Sequence, residues 1–127
     1  TQYLLAVDRN NARVSDLYHA FHPAVFEALA QVADGARAEG KGVSICGELA
    51  GNPMAAVVLL AMGYEVLSMN ATSLPRVKRA LRAITAADAR AVWSEVRCLD
   101  SGDEIQERLR GFLRDRDLHE IVPAPID

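Results

Sequence analysis

The chain has 127 residues, half of them hydrophobic, with 14 basic against 17 acidic side chains and a formal net charge of -3. That fits one modest domain with a real core, and it gives no charge-driven reason to bind nucleic acid or a membrane surface. The longest apolar runs fall far short of a membrane span, so neither partner class is expected.

Cys46 and Cys98 lie far apart and match no zinc spacing. No stretch has the charged, apolar and small-residue order of a secretory signal, so a reducing cytoplasm is the expected location. The first residues are Thr1-Gln2-Tyr3, without a methionine. This reads as a piece of a longer protein.

Taken in order, residues 1–7 are apolar at Tyr3, Leu4, Leu5, Ala6 and Val7 and fit a strand or a short helix equally. Asp8-Arg9-Asn10-Asn11 ends that segment with turn formers. Residues 14–21 allow one helical turn around Asp16-Leu17-Tyr18. His22-Pro23 opens a helix to about Ala38, with proline at a favoured first position. Val25, Phe26, Leu29, Val32, Ala33 and Ala36 give it a buried stripe, and Gly40 suits its C-terminal stop.

A strand is expected over 43–46, and it runs into Gly47-Glu48-Leu49-Ala50-Gly51. Pro53 starts a helix to Met62 that is apolar nearly all round, so it must be covered on most sides. Gly63 ends it. A second strand is expected over 64–69, then a polar turn at 70–73. Ser73 or Thr72 would cap a helix from Leu74 to about Ile84. Strand and helix alternate with short loops, which predicts an α/β fold with parallel strands. Two parallel strands alone leave faces and edges bare, which predicts further strands upstream.

Thr85 to Asp88 reads as a capping box opening a helix to about Leu99, with Ala89, Val92, Trp93 and Val96 inward. Ser101 to Glu104 is a second capping box, for a helix over 102–114 that buries Ile105, Leu109, Phe112 and Leu113. Residues 121–127, with Pro123 and Pro125, read as a frayed tail.

Chemistry in parallel α/β folds gathers at the carboxyl ends of strands. Cys46 stands at such an end, before a glycine turn. Spacing alone leaves open whether it is a functional thiol or a buried structural one. Arg9 is either a clamp for phosphate or carboxylate or a solvated arginine, and residue logic favours the second. Asn70 and Ser73 lie at the second strand's end, where turn and cap roles are the simplest assignment. His19 and His119 read as exposed and His22 as a cap or packing residue. None stands at ligand spacing, so no metal site is expected in this chain. Arg76, Lys78, Arg79 and Arg82 make a basic helix face without interleaved aromatics, which reads as solvated. Cys98 reads as packing near Trp93.

The run Ser44-Ile45-Cys46-Gly47-Glu48-Leu49-Ala50-Gly51 resembles the cysteine loop of the phosphoenolpyruvate-utilising enzymes. Residues 1–9 resemble the second half of that family's other signature. Leu67-Ser68-Met69-Asn70-Ala71 with Ser73-Leu74-Pro75-Arg76 resembles its last barrel strand and helix. The likeness covers nearly the whole chain. Within the family it is most similar to the enzyme I type, the phosphoenolpyruvate–protein phosphotransferases. Gly51-Asn52-Pro53 is more like the nitrogen-related branch than the sugar-transport one, which usually has Asp where Asn52 stands. Pyruvate phosphate dikinase and phosphoenolpyruvate synthase share the cysteine loop but fit the rest less well.

The resemblance implies the C-terminal piece of a TIM (β/α)8 barrel. Residues 1–84 would be the barrel part, holding its last two strand–helix units (43–62 and 64–84). Residues 85–127 would be terminal helices and tail, contributing to a homodimer. It implies phosphoryl transfer from phosphoenolpyruvate to a histidine elsewhere on the enzyme, then to a small histidine phosphocarrier protein (HPr-like or NPr-like). Cys46 matches the proton donor that turns enolpyruvate into pyruvate, a role suited to a thiol that is protonated at neutral pH. Arg9 matches a substrate-binding arginine; Gly47, Glu48 and Asn70 would support them. Mg2+ would bridge substrate groups, with its ligands expected upstream of this chain, which by itself would be inactive. A reading of another class is a non-catalytic assembly module that offers its helices and bare strand edges to a twin.

Overall fold

The computed structural model describes residues 1–122. Its order is α1 (Gln2–Leu5), α2 (Pro23–Ala38), β1 (Ser44–Cys46), α3 (Pro53–Met62), β2 (Val66–Ser68), α4 (Leu74–Arg82), α5 (Ala86–Val96) and α6 (Gly102–Arg114), with 3-10 turns at Ser15–Leu17 and His119–Ile121. The open choice for the first residues is resolved as a short helix, closed by Ala6 at φ 52.

The α/β expectation holds at the level of a small parallel sheet among helices. β1 and β2 pair in parallel, with Ser44 opposite Val66, Ile45 opposite Leu67 and Cys46 opposite Ser68. The regular strands are shorter than the apolar runs. One backbone bond continues the pairing at each end: Glu65 N–H to the Val43 carbonyl at 3.1 Å and Gly47 N–H to the Ser68 carbonyl at 3.2 Å. Side chains alternate along each strand. Ile45 and Leu67 pack on the core, while Ser44, Cys46, Val66 and Ser68 are exposed.

α3 is the hub. Pro53, Met54, Ala55, Ala56, Val57, Val58, Leu59 and Met62 are all buried, and α2, α4, α5 and α6 pack around the helix. This is the covering that an all-apolar helix demands. Asn52 starts it, its Oδ1 accepting the Met54 N–H at 2.9 Å. Gly63 ends it at φ 101, a left-handed position that side chains other than glycine's avoid. Arg37 on α2 donates to the Met62 carbonyl at 2.7 Å, and the Tyr64 hydroxyl donates to the Leu29 carbonyl at 3.0 Å. Both bonds tie α2 to the end of α3. Phe21, Phe26 and Trp93 meet edge to face in a row, with centroids 5.7 and 6.3 Å apart, the geometry that aromatic quadrupoles favour.

Several helix details depart from expectation. On α2, Val25, Phe26, Ala30 and Ala33 are buried, whereas Val32 is exposed. Val32 lies about 120° around the helix from Phe26, off the buried stripe. Gly40, at φ 61, closes α2 in a Schellman arrangement, with Lys41 N–H on the Ala36 carbonyl and Gly40 N–H on that of Arg37. α4 stops at Arg82, and its N-cap Ser73 makes no side-chain cap bond. α5 stops at Val96, so Cys98 lies beyond it and is exposed, its thiol donating to the Ser94 carbonyl at 3.5 Å. Trp93 is half-buried. The capping box expected at Thr85 forms in full, whereas at Ser101 only half of one does: the Ser101 hydroxyl oxygen accepts the Glu104 N–H at 3.2 Å, and the Glu104 carboxylate meets the Ser101 hydroxyl rather than its backbone N–H. Ile121 is buried in its 3-10 turn rather than frayed. The rest of the expected tail, 123–127, lies outside the described residues.

Candidate functional site

The two loops that follow β1 and β2 lie side by side because the strands are parallel neighbours in register. Between them is an open concavity of about 380 Å³ lined by Gly47, Glu48, Gly51, Ser68, Met69 and Asn70. It sits at the carboxyl edge of the sheet, where such folds place ligands.

Each loop is held by its own local chemistry. Gly47 takes φ 107, which turns the chain sharply after Cys46. Gly51 N–H then bonds the Glu48 carbonyl at 3.1 Å, and Asn52 N–H that of Leu49 at 3.1 Å, feeding the chain into α3. In the second loop Asn70 does the organising. Its Oδ1 accepts from Ser73 N–H at 2.8 Å and from the Thr72 hydroxyl at 2.8 Å. The bond expected from a Ser73 or Thr72 cap is thus replaced by an Asn70-centred turn. A Cβ on Gly51 would stand 3.1 Å from the Ser73 side chain and 3.4 Å from Met69 Cβ. Gly51 therefore sets how closely the two loops approach.

Arg9 enters from the start of the chain. Its Nη1 lies 3.6 Å from Glu48 Oε2. Of the residues singled out from the sequence, Gly47, Glu48 and Asn70 line the concavity and Arg9 reaches it through Glu48. Cys46 immediately precedes the lining residues. It is the last residue of β1, exposed and opposite Ser68. A thiol shut into the hydrocarbon core is not what the structure contains. Gly51, Ser68 and Met69 line the concavity without having been singled out. The register of the two strands, had it been available, would have placed Ser68 beside Cys46.

His19 departs from the expected exposed, unpaired histidine. It is half-buried, its Nε2 is 3.2 Å from Asp103 Oδ1, and its Nδ1 accepts the Phe21 N–H at 3.1 Å. The ring packs against Gly102, where no Cβ would fit. This pairing belongs to the start of α6 rather than to the concavity. The basic face of α4 is exposed as expected, with Arg79 paired to Glu120. Among the described residues no group of three His, Cys, Asp or Glu side chains gathers to hold a metal ion. Asp8 Oδ1 accepts the Asn10 N–H, and Glu48 faces Arg9. No helix among these residues is long and apolar enough to cross a membrane.

Residues 1–86 match a family model described as PEP-utilising enzyme, PEP-binding domain. The chain is 38% identical over 122 residues to a Salmonella typhimurium protein named phosphoenolpyruvate-dependent phosphotransferase system, covering 96% of this chain and 16% of that protein. It is 40% identical over 119 residues to the phosphoenolpyruvate-protein phosphotransferase of Haemophilus influenzae, covering 94% and 21%. To the protein of the same name from Geobacillus stearothermophilus it is 38% identical over 104 residues, covering 82% and 18%. The chain spans about a fifth or less of these relatives' length.

Proposed function

The chain belongs to the PEP-utilising enzymes, and from that premise we propose that it is the PEP-binding part of a phosphoenolpyruvate–protein phosphotransferase of the enzyme I type. Two relatives that carry the name phosphoenolpyruvate-protein phosphotransferase match it over 94% and 82% of its length. In the intact cytoplasmic protein, the phosphoryl group passes from phosphoenolpyruvate to an enzyme histidine outside this chain, then to a small histidine phosphocarrier. Residues 1–84 form the closing part of a TIM barrel and 85–127 its terminal helices, a division that the match over 1–86 supports. The partly open two-stranded sheet fits a segment of barrel wall, and also a surface that a second copy covers in a homodimer.

The roles follow from position. Arg9 holds phosphate charge as the P–O bond to the enol oxygen breaks, since its planar fork presents several donors to phosphoryl oxygens. The enolate that remains needs one proton at its methylene carbon. Cys46 gives that proton from its thiol, pyruvate forms, and the thiolate recovers a proton from solvent. Gly47 lets the backbone approach, and Asn70 fixes the opposite wall. Mg2+ would supply charge neutralisation for substrate in the intact protein. We assign its ligands to the part of the intact protein outside this chain; among the described residues no three His, Cys, Asp or Glu side chains gather.

The observation that carries this reading is the Arg9 guanidinium drawn to the loop that follows Cys46. The deciding experiment gives the full-length protein phosphoenolpyruvate, Mg2+ and a phosphocarrier. Phosphorylated carrier and pyruvate should appear in equal amounts. Failure to consume phosphoenolpyruvate would end the proposal.

A further inference from the structure

Arg9 has a carboxylate partner within the chain itself. Its backbone is anchored on both sides: its own N–H donates to Gln2 Oε1 at 3.2 Å, and the next N–H, of Asn10, donates to Asp8 Oδ1 at 2.9 Å. From that fixed base the guanidinium reaches Glu48, a residue of the concavity wall. The contact is loose. At 3.6 Å it lies beyond a good hydrogen bond, and the two side chains are 53% and 87% exposed. Among the described residues Arg9 is the cation paired with Glu48.

From this pairing we infer that Glu48 is a positioning residue that acts as an internal counter-ion. Its carboxylate takes, in the anion-free protein, the guanidinium face that an organophosphate takes on binding. The inference rests on the reading of this concavity as a phosphoenolpyruvate site. A phosphate group offers several acceptor oxygens and can bond the guanidinium fork at two points. Glu48 offers one oxygen at a longer distance. Exchange therefore runs toward the phosphate, and the departing carboxylate leaves an arginine already aimed at the mouth. The same negative charge on the wall opposes an incoming anion, so its removal tightens binding.

The test is equilibrium titration of the full-length protein with phosphoenolpyruvate, and separately with inorganic phosphate. Glu48→Gln should lower the dissociation constant by about two- to fivefold, the range that an exposed ion pair can supply. Glu48→Asp, which restores the charge, should return toward the wild-type value. The gain from Glu48→Gln should shrink when Arg9 is already Gln, since the pair is then gone. An unchanged or weakened affinity in Glu48→Gln, or an equal gain in both Arg9 backgrounds, overturns the inference. Thermal midpoints measured alongside separate this from a merely structural role, which would move the midpoint and not the constant. A wild-type protein that binds phosphate but not phosphoenolpyruvate sinks the functional reading, and the phosphate titrations then decide on Glu48. Binding of neither ligand overturns both.

Discussion

Arg9 and Glu48 join two distant stretches of chain at one edge of the sheet, Nη1 to Oε2 at 3.6 Å. On the proposed reading, the arginine is the member with the larger stake in anion binding. Arg9→Gln should raise the phosphoenolpyruvate dissociation constant of the full-length protein roughly ten- to a hundredfold, the loss expected for charge-assisted hydrogen bonds. Arg9→Lys should recover part of it, because charge returns without the planar fork. Wild-type affinity in Arg9→Gln would remove Arg9 from the site.

Cys46→Ala separates binding from protonation. The exposed thiol at the end of β1 has no packing role that alanine would spoil. In the full-length protein, phosphoenolpyruvate affinity should stay within about twofold. Pyruvate formation should fall about a hundredfold or more, the usual contribution of a positioned proton donor. Stopped-flow pyruvate detection beside equilibrium binding makes the comparison. Equal losses in both would point to a disturbed loop instead.

Gly51→Ala tests how the two loops are spaced. The new methyl meets Ser73 at 3.1 Å and Met69 at 3.4 Å. The β2–α4 turn must shift by a few tenths of an ångström, which costs about 1 kcal/mol or more. A lower urea midpoint is expected, together with weaker phosphoenolpyruvate binding in the full-length protein. Pairing the change with Ser73→Gly, which clears the nearer obstacle, should restore part of both. A neutral result in both measurements would show that the loops have room.

Acid stability should depend on Asp88. The backbone N–H and hydroxyl of Thr85, and then Arg116, hold its carboxyl below the usual carboxylate range. A depressed folded-state value means that the contribution is present above the unfolded value and is lost as pH falls through the folded one. Urea midpoints taken from about pH 6 down to pH 2 should therefore fall less steeply for Asp88→Asn than for wild type. Parallel slopes would refute the assignment. Arg116 also stacks 3.7 Å over the Phe112 ring and donates to the Phe112 carbonyl, so Arg116→Ala should lower the midpoint at every pH.

Leu59→Ala tests the hub. Leu59 is fully buried on α3, and the change should cost about 2–5 kcal/mol, measured by chemical denaturation. A cost below about 1 kcal/mol would mean that α3 is not the centre of the core.

The order of elements was legible because it is written in local signals. Pro23 and Pro53 stand at helix starts, Gly40 and Gly63 at helix ends, and Thr85 and Ser101 three residues ahead of acids. What was not legible is tertiary. Val32 fits a helical apolar pattern, yet the helices around α2 leave its flank uncovered. His19 finds Asp103 from 84 residues away, and no spacing rule reaches that far. The proximity of Arg9 to the cysteine loop came from resemblance, since its own sequence context favours a solvated arginine. Asn52 shows the limit of branch assignment from one residue. As the cap of α3 it accepts one N–H, and Asp would do so equally well.

Because α3 is wrapped by four other helices and Asn52 caps it at the end of the cysteine loop, the loop inherits its alignment from packing many residues away. A volume change in α5 or α6 would bear directly on α3 and, through that helix, on its capped tip. Such alleles would surface first as altered chemistry in an otherwise sound molecule, and their suppressors would be found on the opposite flank of the same helix.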